Sequence, residues 1–234
     1  VNFFYKFANI YFLKNKVKKI IVTSKIYSST SKILNKIPDD LIQVLPIGIA
    51  DIKNFNDLDL IEDCRSNYVI FIGSNRTYKG IPLLKKIIDT ENKKFILIGS
   101  NLLDFKKYNN VQVYENIDEE KKIELISKSS FLLMTSTSRN EAFGIVLIEA
   151  LRSGIPLITP NINSGVIWIN KNNFTGYVYQ VGDLNDLKSK FKKINDLETK
   201  KYLQFRVNSR KRYIQHFQLS TMIKDLDKLY SKIS

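Results

Sequence analysis

Along the chain, short apolar runs rich in β-branched and aromatic residues alternate with longer stretches whose apolar residues recur at helical spacing. The runs KIIVT (19–23), LIQVL (41–45), YVIFIG (68–73), KFILIG (94–99), VQVY (111–114), SFLLMTS (130–136) and IPLITP (155–160) read as strands. Helices are predicted near 25–35, 80–91, 118–128 and 143–153. Strands that are apolar on both faces and separated by helices point to an α/β fold, a parallel sheet with helices on both faces. Such a sheet binds its ligand at the C-terminal ends of its strands.

The pattern breaks once. LPIGIADIKNF (45–55) carries Pro46 and Gly48 and has no helical period. Residues 1–50 therefore read as the end of one domain with its hinge, and 51–195 as a complete sheet domain. Residues 196–234 read as two helices, broken near His216 to Gln218, that pack back toward the first domain. The opening segment VNFFYKFANIYFLKN is aromatic but interrupted by Asn2, Lys6 and Asn9. No apolar run approaches the roughly 18 residues of a spanning helix, so a transmembrane segment is not expected, while an amphipathic helix resting on another domain or on a bilayer stays open.

Composition changes this picture little. A hydrophobic fraction of 44% and a charged fraction of 26% suit a globular protein and argue against disorder. The net charge of +14 comes mostly from Lys in a chain crowded with Asn and Ile, and reads first as a solvated surface. Peripheral contact with an anionic membrane, or binding of nucleotide phosphates, is the second reading. Nucleic acid is not expected as a partner, because zinc-ligand spacing, RNA-binding aromatics and a basic stripe with interleaved aromatics are all missing. The single cysteine, Cys64, cannot form an internal disulfide and reads as a small buried residue, which fits a cytoplasmic location, peripheral at the inner face of the membrane at most. Neither a metal-ligand cluster nor an Asp-x-Asp pair in a suitable loop is found, so no metal and no cofactor are expected.

The candidate chemistry lies in STSRNEAFGIVLIEALRSG (136–154). A polar loop leaves a strand, Glu141 stands in it, Gly144 opens a helix, and Glu149 follows in the second turn. A helix that starts at the C-terminal edge of a parallel sheet aims unpaired N–H groups and its positive dipole end at an anion. Ionised carboxylates accept two hydroxyl hydrogens side by side, which suits vicinal diols. A phosphate site bracketed by two such acids describes a nucleotide-sugar.

NEAFGIVLIEALRSG resembles the E-x7-E signature of glycosyltransferase family 4, retaining enzymes of the GT-B fold. YVIFIGSNRTYKG (68–80) resembles that family's phosphate-contacting loop, TPNINSGVIWINKNNFTGYVY (159–179) its glycine turn and following strand, and KIIVTSKIYSSTSKIL with IQVLPIGI the end of its first domain and hinge. The resemblance implies that the chain is the Rossmann-like C-terminal half of a GT-B fold plus a remnant of the N-terminal acceptor domain, most of which is absent. It also implies that Glu141 acts as the catalytic-site acid on the transferred sugar and Glu149 holds ribose, while the backbone of Phe143, Gly144 and Ile145 meets sugar and phosphates. Asn140 adjoins that loop. In the phosphate loop after Gly73, Lys79 matches a diphosphate-binding lysine. Ser74 stands where the family has an arginine, a departure that Arg76 would cover by swinging in its forked guanidinium. Trp168 is a second departure, standing where an acid is usual. It reads as a packing residue as readily as a substrate contact, and His216 reads as structural.

The expected function is a retaining transfer of a hexose from a nucleoside-diphosphate sugar to a glycan or lipid-linked acceptor in surface polysaccharide or lipopolysaccharide synthesis. In the family the acceptor pocket and a catalytic-site histidine come from the first domain, and no residue here takes that role. The alternatives are a non-catalytic nucleotide-sugar-binding fragment or half of a split enzyme, and, less favoured by the EAFGIVLIE context, a sugar-nucleotide epimerase.

Overall fold

A computed structural model describes residues 2–61, 63–65 and 67–233. Its elements follow in the order α1 (Asn2–Asn15), β1 (Ile20–Val22), α2 (Lys25–Ser29), β2 (Ile42–Val44), β3 (Val69–Ile72), α3 (Ile81–Thr90), β4 (Phe95–Ile98) and β5 (Val111–Tyr114). Then come α4 (Glu119–Ser127), β6 (Phe131–Leu133), α5 (Ile145–Arg152), β7 (Leu157–Pro160), α6 (Val166–Ile169), β8 (Gly176–Tyr179), α7 (Leu184–Asn195), α8 (Thr199–His216) and α9 (Leu219–Ile233). The expected parallel α/β sheet is present. Six parallel strands lie in the order β5-β4-β3-β6-β7-β8, and β1 pairs with β2 in a separate parallel pair.

Both faces of the six-stranded sheet are buried because alternate residues of each strand feed two cores. Val69 and Phe71 join Phe95, Leu97 and Phe131 beneath α3 and α7. Ile70 joins Ile96, Ile98 and Leu132 beneath α4, α5 and α6. Period-two burial on both faces is what makes the strands read as continuous apolar runs.

Three segments differ from the sequence reading. The helix expected over 25–35 stops at Ser29, where the Thr30 hydroxyl donates to the Ile26 carbonyl, and a separate 3₁₀ turn covers Leu34–Lys36. The helix α7 was not anticipated. Its buried Leu187, Phe191 and Ile194 form one stripe, the Asp183 carboxylate caps it by accepting from the Asp186 N–H, and the run of lysines on its other face obscures the period. The short α6 was likewise missed, and the strands are two to four residues shorter than their apolar runs, except β5, which coincides with its run.

The segment 48–51 is held mainly by the C-terminal helices. Ile49 N–H donates to the Phe217 carbonyl and Leu219 N–H to the Ile49 carbonyl, both at 2.9 Å. Gly48 is required there, since an added Cβ would lie 2.6 Å from the Gln218 oxygen. Arg210 pairs with Asp51 at 2.6 Å, and Arg152 donates to the Ala50 carbonyl at 3.0 Å. Buried Cys64 accepts from Arg206 at 2.9 Å. Among the described residues no helix is long and apolar enough to cross a membrane. On α1, Tyr11 and Phe12 are exposed.

Candidate functional site

The strand order reverses between β3 and β6, and the loops that leave these two strands carry the chemistry-bearing residues. That reversal opens a crevice at the C-terminal ends of the strands, where open parallel sheets bind ligands. From β3 the chain turns through a 3₁₀ segment, Thr77–Lys79, to Gly80 in the left-handed region at φ 67°. From β6 it runs through buried Thr135 and Ser136 to Glu141 and to Gly144 at φ 92°.

The two loops are locked together. The Thr135 hydroxyl donates to the Lys79 carbonyl at 2.7 Å and Thr137 N–H to the Tyr78 carbonyl at 2.8 Å. A Cβ at Gly80 would sit 1.8 Å from the Thr135 oxygen, so both the backbone conformation and the close approach demand glycine. The consequence is the placement of Lys79. Its stem lies over Gly73, and its ammonium donates to Glu141 Oε2 at 2.6 Å. The Ser136 hydroxyl donates to the same oxygen at 3.1 Å.

Gly144 is the N-cap of α5 and supplies no side-chain hydrogen bond, so the first N–H groups of the helix have no side-chain cap. Glu149, in the second turn, sends Oε1 to the Lys122 ammonium of α4 at 3.0 Å. Its Oε2 is buried and has no hydrogen-bond partner in the protein. Burial on its own would lower the Lys122 pKa, but the bonds to Glu119 at 2.6 Å and to Glu149 outweigh it and raise the value. The Glu119 carboxyl loses stabilisation through burial, yet its bonds to Lys122 and Arg152 bring its pKa below the ordinary value.

The residues singled out from sequence divide in two. Lys79, Gly73, Ser74, Glu141, Gly144, Ile145 and Glu149 line the β3 and β6 loops and the start of α5. Ile145 is 46% exposed at the first helical position. Arg76 and Asn140 are both exposed. The Phe143 side chain is buried and stacks on Trp168 with ring centroids 6.1 Å apart. Trp168 also meets Phe217 at 5.0 Å and His216 at 5.8 Å, and its carbonyl accepts from Arg212, so it packs α6 against the C-terminal helices. His216 is part of that packing, and burial, then the Arg212 charge, lowers its pKa.

Sequence reasoning missed Lys122, Glu119 and Ser136. Ser136 adjoins the acidic loop and could have been flagged as a hydroxyl near Glu141. Nothing local marks Lys122, because only the packing of α4 on α5 brings it to Glu149. Among the described residues no group of three or more His, Cys, Asp or Glu side chains is arranged to hold a metal.

Comparison with known proteins agrees with this architecture. Over 227 residues the chain is 26% identical to the O-antigen chain mannosyltransferase C of Escherichia coli, covering 92% of this chain and 60% of that protein. Over 177 residues it is 28% identical to the D-rhamnosyltransferase WbpZ of Pseudomonas aeruginosa, covering 70% and 46% respectively. The chain thus spans about half to three fifths of the length of these relatives. Among solved structures, Anabaena Alr3699/HepE in complex with UDP superposes with a TM-score of 0.80 at 16% identity, covering 99% of this chain and 68% of that one. This likeness identifies the fold as the C-terminal Rossmann-like half of a GT-B glycosyltransferase. Residues 55–212, which run into the last turns of α8 and include Lys79, Lys122, Glu141 and Glu149, match the family described as Glycosyl transferases group 1, and the chain belongs to that family.

Proposed function

We propose that this chain carries the donor site of a retaining glycosyltransferase that moves a hexose from a nucleoside-diphosphate sugar to a glycan or lipid-linked acceptor in surface polysaccharide synthesis. The observation that carries the reading is the buried, partnerless Oε2 of Glu149, one and a half turns inside a helix whose start at Gly144 has no side-chain cap. A buried carboxylate oxygen without a donor is costly, and the hydroxyls of a ribose supply that donor. Lys79, the start of α5 and, by reorientation, Arg76 hold the diphosphate and neutralise the leaving group. Glu141 takes the hydroxyls of the transferred sugar, and Phe143 to Ile145 contribute backbone N–H groups. The finer assignment to glycosyltransferase family 4 is supported by the resemblance of NEAFGIVLIEALRSG to that family's E-x7-E signature.

In this reading residues 1–50 belong to the acceptor side, 51–195 bind the donor, and 196–234 brace the two. The names of the relatives, a mannosyltransferase and a rhamnosyltransferase, support a hexosyl donor and an O-antigen-like setting. The two complexes of Alr3699/HepE, with UDP and with UDP-glucose, support a nucleoside-diphosphate ligand. Because the chain spans only part of its relatives, donor binding is the property to measure on it, and turnover is proposed for the whole enzyme.

Calorimetric titration with ADP, CDP, GDP and UDP tests the site. One of them binds, and Glu149→Ala and Lys79→Ala each weaken it several-fold. Unchanged affinity in both variants would contradict the assignment.

A further inference from the structure

The acid assigned to ribose is not held by its own helix alone. Glu149 Oε1 accepts from Lys122 at 3.0 Å, Lys122 also pairs with Glu119 Oε2 at 2.6 Å, and Glu119 Oε1 accepts from Arg152 at 3.4 Å. Arg152 lies on α5 three residues after Glu149, so the four charges form a chain that leaves α5 at Glu149, crosses to α4 and returns to α5 at Arg152. Arg152 is 6% exposed and uses its other terminal nitrogen on the Ala50 carbonyl of the hinge. The chain of charges is therefore anchored at one end in the protein interior, and its buried unpartnered atoms are Glu149 Oε2 and Arg152 Nε.

We infer that Lys122 is a positioning residue for the donor: by fixing Oε1 it sets the Glu149 side chain so that Oε2 is presented to the ribose hydroxyls. The inference rests on the donor-site reading above. A glutamate has three rotatable side-chain bonds, and a site that recognises a diol needs its acceptor oxygens fixed before the ligand arrives. Alone on α5, Glu149 would be free to turn toward solvent or toward Arg152. Lys122 offers Oε1 a charge-assisted bond from a neighbouring helix, and Glu119 in turn limits where the lysine can point. Lys122 thus acts through Glu149 and makes no claim on the reacting atoms.

The readout that separates positioning from simple stabilisation is recognition of the ribose hydroxyls. The nucleoside diphosphate that binds tightest among ADP, CDP, GDP and UDP is compared by calorimetry with its 2′,3′-dideoxy counterpart. A hydrogen bond to an ionised group corresponds to roughly tenfold or more in affinity, so the wild type prefers the ribo form by about that factor. Lys122→Met is expected to bind both forms with nearly equal affinity, and Lys122→Arg to restore most of the preference. Should Lys122→Met not fold, Lys122→Gln carries the same comparison. A Lys122 variant that keeps the full preference overturns the positioning role. A wild type that binds both forms equally removes the contact between Glu149 and ribose. A wild type that binds none of the four nucleotides overturns the donor-site reading itself.

Discussion

The Lys79 ammonium lies 2.6 Å from Glu141 Oε2, and both side chains are largely buried, so the cation assigned to the diphosphate and the acid assigned to the sugar neutralise each other in the protein alone. Binding a donor has to divide this pair between two parts of one ligand. Breaking a buried pair by removing one partner costs about 3–5 kcal/mol because the other charge is left uncompensated. Lys79→Met and Glu141→Gln should therefore each lower the urea midpoint clearly. The double variant should be less destabilised than the two losses added together, and strict additivity in chemical denaturation would show that the pair is not coupled.

Gly80 sets the position of Lys79. Alanine there would have to hold φ at 67° with its Cβ 1.8 Å from the Thr135 oxygen, so the two loops must part. Gly80→Ala is expected to cost roughly 2–3 kcal/mol through strain and the displaced loop. It should also weaken nucleoside-diphosphate binding at least as much as Lys79→Ala does. A variant with wild-type melting temperature and affinity would show that the loops are not locked in the way described.

Arg139 ties the signature loop to the N-terminal elements. Its guanidinium donates to the Tyr27 carbonyl at 3.0 Å and to the Thr30 carbonyl, and stacks over the Tyr27 ring at 4.7 Å, two residues before Glu141. The Asn163 carbonyl oxygen lies 3.1 Å from the Thr30 hydroxyl oxygen, an alternative acceptor to the Ile26 carbonyl. Arg139→Ala should raise amide hydrogen exchange in both 25–30 and 138–143 while leaving β3 to β5 protected. Exchange confined to one of these segments would mean that they are not coupled through Arg139.

The parallel sheet was legible in the sequence because its strands are apolar on both faces, as Val69–Ile72 and Phe95–Ile98 illustrate. The start of α5 at Gly144 was legible for a different reason, since Gly144 and its flanking acids form a local pattern. What stayed hidden depends on long-range packing. The α4–α5 contact brings Lys122 to Glu149 from 27 residues away, and the reversal of strand order brings Lys79 to Glu141 from 62 residues away. Lysine-rich α7 escaped notice because its apolar stripe is sparse, although the Asp183 cap is a local signal. Trp168, ambiguous as sequence, is settled by its neighbours Phe143, Phe217 and His216 as a packing residue.

His216 gives that aromatic cluster a pH signature. Burial and the nearby Arg212 lower its pKa below the ordinary 6.5, so the unfolded chain binds the proton more tightly than the folded one. The stability this contributes is complete above pH 6.5 and is lost as pH falls through that value toward the folded pKa. The melting temperature should drop from pH 7.5 to 5.5, a range that stays above the ordinary carboxylate values, and His216→Gln should flatten the drop. An equal drop in the variant would place the titrating group elsewhere.

The central claim is that a nucleoside diphosphate is bound at the start of α5 between Glu141 and Glu149, and a crystal structure of the chain with its tightest-binding nucleoside diphosphate tests it most directly. Density for the diphosphate is expected against Gly144 and Lys79, with the Lys79–Glu141 bond opened and a ribose hydroxyl within hydrogen-bond distance of Glu149 Oε2. A nucleotide seated elsewhere, with Glu149 Oε2 still unpartnered, would contradict it.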